Sequence, residues 1–410
     1  MMKDKDMAAN HIYKKVYFYT SHNLPIKMCT RGVLGTRKNQ HLFEGKHEMK
    51  NMANTGVKKT ILVLLLTVVL AVPVFSVVKV DKSIAGQAFE LRMTGHTKEA
   101  IELLTKDIAD GSANASVQFE LARCYFWTMM HETESPNLTL KQKQQAMKGK
   151  LQSSKKAIQK AIKADPKNPR YHYWAGIIGT SNTIYDAHSI WTMPGLPFDS
   201  IGTINHYEKA VKLKNDYYQA RQNLMGLYDR LPWFCGGNKS KAKKQLKQLE
   251  KLGSVYGARA SCEIHPRKQP EEKIAIWQKV VDAHPENAKA HAGLANAYMN
   301  AKKMDKASVH VDKSIMLDPS CNISLLEYAR RFSAMKKYKK AEQTLNSFLE
   351  SKSQPQIPLR AYALRMLAKV KDKQGLHQEA EELKKQAHQL DPVNIPSIRW
   401  LPVEDLFTAP

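Results

Sequence analysis

The stretch Gly236-Gly237-Asn238-Lys239-Ser240 holds the residue types of a phosphate-cradling loop. Its spacing is wrong for that chemistry. Backbone amides wrap a phosphate when four residues separate a first glycine from Gly-Lys-Ser/Thr and a strand leads in. Neither condition is met, so this stretch is expected to be a turn. His131-Glu132 has no second histidine four residues on, and no Gly-x-Ser-x-Gly presents a nucleophile. His172, His188 and His206 lie near one insertion and could offer imidazoles to a metal, but the 15 histidines are scattered. Ordinary core or surface histidine is the expectation. The carboxylate pairs Glu271-Glu272 and Glu381-Glu382 fall on exposed helix faces, where solvation suits them better than acid–base work. No catalytic residue, cofactor or metal is therefore assigned.

Lysine runs are the other chemical signal: Lys141–Lys167, Lys239–Lys251 and Lys336–Lys340. Nucleic acid would call for interleaved aromatics to stack bases and arginines to read them, and both are sparse in these runs. An anionic lipid surface or an acidic wall polymer fits them better. Formal charge is +26 over 410 residues. Through Lys59 there are 12 basic and 4 acidic residues, so most of the excess lies beyond that point. Such a field favours anionic partners, although a solvated lysine-rich surface accounts for it equally well.

The elements that carry these residues are read most clearly between Pro285 and Pro319, which stand 34 positions apart. Apolar residues recur three and four apart in two segments joined by a turn at Lys302-Lys303. Small residues at Ala290, Gly293, Ala295 and Ala307 let the two helices approach closely. One hairpin cannot bury its own apolar face, so copies are required. Ala341 follows Ala307 by the same 34 positions, and Ala380 comes 39 after that. Asp165-Pro166 closes an earlier unit with Ile158 and Ala161, while Ala100 and Ala242 hold the Ala307 slot in others. Cysteines at 29, 124, 235, 262 and 321 form no Cys-x-x-Cys and are too few for a disulfide scaffold. Scattered core cysteines are expected, with one bridge open outside the cytoplasm.

Leu294, Ala295, Tyr298, Ala307 and Pro319, and again Tyr328, Ala329, Phe332, Ala341 and Phe348, fill their slots as in the tetratricopeptide repeat family, which the chain resembles over roughly Ile84 to Pro392. The fold implied is all-α, a right-handed α-solenoid of about six or seven stacked helix-turn-helix units. Tyr171-His172-Tyr173-Trp174, the Ser181–Ser200 insertion, Tyr207-Glu208-Lys209-Ala210-Val211 and the turn from Pro232 to Lys239 are similar to a bacterial exported subset of that family. The resemblance implies binding rather than catalysis, on a concave face lined by the first helix of each hairpin. Its slots here are Arg170, Tyr173, Gln219, Gln222, Lys289, Asn296, Asn300, Arg330, Tyr362, Arg365 and Lys369. Only Asn296 and Arg330 match the family's carboxylate clamp, and Ala292 stands where its lysine would be. The groove is expected to hold an acidic or extended segment of a protein partner.

Ile61–Val78 is an uncharged run of 18 residues after Lys58-Lys59. Read from Met52 it has the layout of a secretory leader with cleavage near Ser76. Read from Met1 it is an uncleaved anchor with the basic side cytoplasmic. The expected division is a disordered or untranslated extension and leader start over 1–59, a leader or anchor at 60–79, the repeat array at 80–392 and an extended tail at 393–410. Both routes place the array on the periplasmic side of a bacterial inner membrane. The reading is a non-enzymatic protein-binding scaffold of the envelope. The alternative is a solute-binding accessory protein that uses the apolar insertions near 190–198 and 232–237.

Overall fold

The computed structural model describes residues 83–134, 140–186, 195–264, 269–318, 324–351 and 357–390. The expected leader or anchor, the N-terminal extension, the tail, and His188, Ile190, Trp191, Met193 and Pro319 lie outside the described residues. All regular structure among the described residues is helical. In chain order the helices are α1 Ile84–Met93, α2 Thr97–Ala109, α3 Ala115–Glu134, α4 Leu140–Ala164, α5 Pro169–Asp186, α6 Leu196–Leu213, α7 Tyr218–Arg230 and α8 Lys239–Leu252. They continue with α9 Ser254–Ile264, α10 Pro270–Ala283, α11 Ala288–Asn300, α12 Met304–Leu317, α13 Ser324–Ala334, α14 Tyr338–Leu349, α15 Ile357–Lys373 and α16 His377–Leu390. They pair into eight hairpins among the described residues, more than the six or seven expected. None of these helices is long and apolar enough to cross a membrane.

Every pair of helices in more than marginal contact is adjacent in sequence or one helix removed, the pattern of a solenoid. Small residues set the spacing. Ala100, Ala242, Ala307, Ala341 and Ala380 are each the fourth residue of a second helix, and all five are fully buried. A Cβ on Gly176 would lie 2.5 Å from the Tyr207 ring, and one on Gly293 would lie 2.4 Å from Trp277. These glycines mark where one helix presses its backbone against a large ring.

Four hairpins turn in the same way. Three residues join the helices, and the middle one is left-handed: Gly95 at φ 88°, Lys302 at 61°, Lys336 at 59° and Gly375 at 83°. The third residue's N–H then bonds a carbonyl five positions back, as in Lys303 to Tyr298 at 2.9 Å and Lys337 to Phe332 at 2.9 Å. His96 to Leu91 and Leu376 to Lys371 repeat it. This is the Schellman closure, which satisfies carbonyls that a helix end would strand. Starts are fixed by side chains. Asn287 accepts from the Ala290 N–H at 3.1 Å, Asn238 from Lys241 at 2.9 Å and Ser83 from Gly86 at 3.0 Å.

The Ser181–Ser200 insertion is shorter than its sequence suggests. Helix α5 continues to Asp186, and α6 already begins at Leu196 with Pro197 in its first turn. Proline is compatible with that position because its missing N–H would have no helical partner there.

Candidate partner-binding face

First helices of successive hairpins lie side by side. Phe119 of α3 meets Tyr171 and Trp174 of α5 at ring separations of 4.9 and 6.1 Å. Tyr173 of α5 meets Tyr217, just before α7, at 4.9 Å. Helices α7 and α9, α9 and α11, and α13 and α15 are in contact. The Tyr328 hydroxyl of α13 donates to the Ala292 carbonyl of α11 at 2.6 Å. The row is thus continuous from α1 to α15, and its unburied side chains form one polar face.

The densest part of that face spans three helices. Glu327 accepts from Arg330 Nε at 2.9 Å and Nη2 at 2.7 Å, and from Arg331 Nε at 2.8 Å. Arg331 Nη1 donates to Asn300 Oδ1 of α11 at 2.9 Å. Tyr362 of α15 lies near Arg330. Burial alone would raise the Glu327 carboxyl, but hydrogen bonds and charge from the two arginines outweigh it and hold the group below the usual range. Two guanidiniums share one carboxylate, so the cluster keeps a net positive charge in a fixed geometry.

Elsewhere on the row, Gln222 of α7 donates to Glu263 of α9 at 2.6 Å. Arg170 places its guanidinium 5.0 Å from the Phe119 ring centre. Gln219 is partly exposed, and Lys289 and Lys369 are exposed. Asn296 and Arg365 are half-buried. The Asn296 Oδ1 is enclosed and has no hydrogen-bond partner. Tyr173 departs from the expectation. It is 3% exposed and its ring packs on Tyr217 and Tyr207, so it belongs to the core. Helices α7 and α9 separate Arg170 from the α11–α15 cluster. Glu263, Glu327 and Arg331 also belong to this face, at positions outside the repeat slots. The signal for Glu327 was present, since it precedes Arg330 by three and Arg331 by four residues, the helical ion-pair spacing.

The other chemical candidates resolve as structure. Trp233–Cys235 forms a short 3-10 turn, Gly236 follows at φ 88°, and Asn238 caps α8. A Cβ on Gly237 would sit 1.8 Å from the Leu231 carbonyl oxygen, so the second glycine serves a backbone crossing rather than a phosphate. Phe198 and Trp233 are 81% and 84% exposed. His172 and His206 do meet, with Nδ1 atoms 3.5 Å apart and His172 Nε2 3.0 Å from the Pro166 carbonyl oxygen. Among the described residues no group of three or more His, Cys, Asp or Glu side chains could hold a metal ion. Cys124 and Cys235 form no disulfide.

A buried cluster of charge lies off the face. Arg92, Glu120 and Arg123 are fully buried between α1 and α3. Arg92 Nε donates to Glu120 Oε1 at 2.7 Å, and Arg123 Nε lies 3.0 Å from Oε2. Phe89 and Trp127 face the Arg92 guanidinium at 5.3 and 5.4 Å.

Fold and face together define an all-α array of stacked helix-turn-helix units that exposes the polar side of its first helices. No family model and no curated protein matches the sequence. Among solved structures, a tetratricopeptide repeat protein from Parabacteroides merdae is 13% identical over 73% of this chain and 97% of its own, with a TM-score of 0.36. Yeast Tom70 is 13% identical over 75% and 77%, with a TM-score of 0.36. YrrB, described as a tetratricopeptide repeat protein with an unusual peptide-binding site, is 14% identical over 62% and 90%, with a TM-score of 0.24. At TM-scores this low the likenesses carry no argument, and the architecture rests on the helix order and packing described above.

Proposed function

We propose that the chain is a non-enzymatic scaffold whose row of first helices holds an extended segment of a partner protein. The observation that carries this is the Asn300–Arg331–Glu327–Arg330 network across α11 and α13, which fixes a net positive, donor-rich surface before any partner arrives. Pre-positioned guanidiniums lower the ordering cost of binding and suit a carboxylate on the partner. Glu327 and Glu263 sit on the same row, so the preference is for an acidic group set among neutral ones, rather than for a uniformly acidic peptide. The test is affinity capture from envelope extracts with the full chain as bait, comparing wild type with Arg330→Ala plus Arg365→Ala. Loss of specific captured proteins supports the reading; an unchanged set overturns it.

We also propose that the array works outside the cytoplasm, attached to or released from the inner membrane. The support is the uncharged run Ile61–Val78 behind Lys58-Lys59. N-terminal sequencing of the mature protein separates a cleaved leader from an anchor. Digestion of the array by protease in intact spheroplasts is expected, and complete protection would place it in the cytoplasm.

A further inference from the structure

A second surface lies away from the row of first helices. The turn Trp233–Cys235 sits on the start of α6, and a Cβ on Gly236 would lie 2.7 Å from Ile204 Cδ1 and 3.5 Å from Ile201 Cγ1. Cys235 and Ile204 are buried beneath it. Around this seat four large apolar side chains face solvent: Trp233 at 84%, Phe198 at 81%, Phe234 at 48% and Ile201 at 42% exposure. Trp233 and Phe234 stand edge to face at 5.8 Å, a shared protrusion rather than two unrelated side chains. Exposed apolar residues are common singly, but a contiguous aromatic group marks an interaction site.

Charge identifies the occupant. Helix α8 leaves the turn directly and exposes Lys239, Lys241, Lys243, Lys244, Lys247 and Lys251, with Glu250 as its one acid and no arginine. The nearby acids are already engaged: Asp229 by Lys239 at 2.7 Å, Glu208 by Lys241 at 3.2 Å and Asp199 by Lys155 at 3.3 Å. A second copy of the chain would bring like charge against this helix. An acidic protein recognised with geometric specificity would be expected to meet arginine forks, whereas flexible lysines give diffuse attraction to an anionic plane. Near an anionic bilayer such lysines contribute about 1 kcal/mol each, or roughly fivefold in affinity. Tryptophan favours the headgroup boundary, where its ring and its N–H are both accommodated.

We propose that Phe198, Ile201, Trp233 and Phe234 insert into the interface of an anionic lipid bilayer, with the α8 lysines held over its headgroups. This contact is independent of the partner-binding face and survives if that reading fails.

The experiment reconstitutes the full chain in vesicles whose acyl chains are brominated, comparing phosphatidylglycerol–phosphatidylcholine mixtures with phosphatidylcholine alone. Bromine quenches only tryptophan that reaches the bilayer. The run 61–78 contains no tryptophan, so its own insertion does not enter the signal. Trp127, Trp174 and Trp277 are buried, and Trp233→Leu isolates the contribution of Trp233. We expect a quenched component in the anionic vesicles that is absent in Trp233→Leu. It should fall at least fivefold in phosphatidylcholine alone and in the exposed triple variant Lys243→Glu, Lys244→Glu, Lys247→Glu. Equal quenching of wild type and Trp233→Leu overturns the proposal, as does quenching indifferent to lipid charge. Self-association in sedimentation that Phe198→Ser plus Trp233→Ser abolishes would reassign the patch to a second copy.

Discussion

The Nδ1 atoms of His291 and His310 lie 2.9 Å apart, joining the fourth residue of α11 to the residue seven before the end of α12. His172 and His206 hold the same two slots in α5 and α6. In both hairpins the first histidine also places Nε2 about 3 Å from the carbonyl oxygen of a proline six residues earlier, Pro285 or Pro166. Between these hairpins, in α7 and α8, Arg221 and Gln245 fill the slots. Arg221 donates to Gln245 at 2.9 Å and to the Asn215 carbonyl at 2.8 Å. One structural position is therefore bridged three times, twice by groups that titrate.

The first prediction follows from that position. Burial pushes His206 down to about 4, and the positive fields of His172 and Lys155 add to it. His172 is lowered by burial, with the Pro166 carbonyl and Asp165 opposing and Lys209 assisting. His310 is lowered by burial and by His291. These groups bind protons more readily when unfolded. Stability is therefore fully present above pH 6.5 and falls as pH drops from 6.5 towards 4, by a total on the order of 1–3 kcal/mol. Urea unfolding across that range should show the slope, and His206→Gln with His310→Gln should flatten it. An unchanged slope in the double variant removes the explanation.

Left-handed lysines at Lys302 and Lys336 occupy a slot that glycine fills in the hairpins of Gly95 and Gly375. A Cβ in that region costs roughly 1 kcal/mol. Lys302→Gly and Lys336→Gly should each stabilise the chain by about 0.5–1 kcal/mol, net of glycine's greater freedom when unfolded. Gly375→Ala should do the reverse. Thermal unfolding of the single variants decides this, and a lower midpoint for both glycine variants would contradict it.

Glu120 lies between two fully buried guanidiniums. Glu120→Ala removes the carboxylate that both guanidiniums reach and should cost about 3–5 kcal/mol. Arg92→Met plus Glu120→Leu removes an opposed pair and should cost markedly less. Denaturant midpoints compare the two, and a larger loss in the double variant would show that the ion cluster is not what stabilises the α1–α3 contact.

Gly293→Ala would press a methyl into the Trp277 ring, whose atoms lie 2.4 Å from the added carbon. Gly202→Ala, with open space around it, is the control. The first should destabilise by about 1–3 kcal/mol. The second should be neutral to slightly stabilising, since alanine favours helix. Equal behaviour would mean that α10 and α11 adjust freely at this contact.

The register of the array could be read from the chain alone because its constraint is local and repeated. Ala307, Ala341 and Ala380 recur at nearly one period, and each is small for the same reason, the close approach of a neighbouring helix. Weak periodicity hid more. Helix α9 reads as small residues, Gly257, Ala258 and Ala260, without a strong apolar stripe, which contributed to the low count of hairpins. The repeat slot of Tyr173 points to the polar face, yet its ring is needed between α5 and Tyr217 just before α7. The Arg92–Glu120 pair joins residues 28 apart on different hairpins, a relation that no spacing rule predicts. Glu327 was legible in principle, but only once its arginines were considered as a pair.

Among the described residues each hairpin is in more than marginal contact only with the hairpins next to it, so force applied at the two ends would pass through these junctions in series. No distant clasp among the described residues shares the load. Such a chain would yield in steps, one hairpin at a time, each releasing on the order of 100 Å of contour for about 30 residues. Under tension the array would behave as a ratcheted spring, its softest junction giving way first.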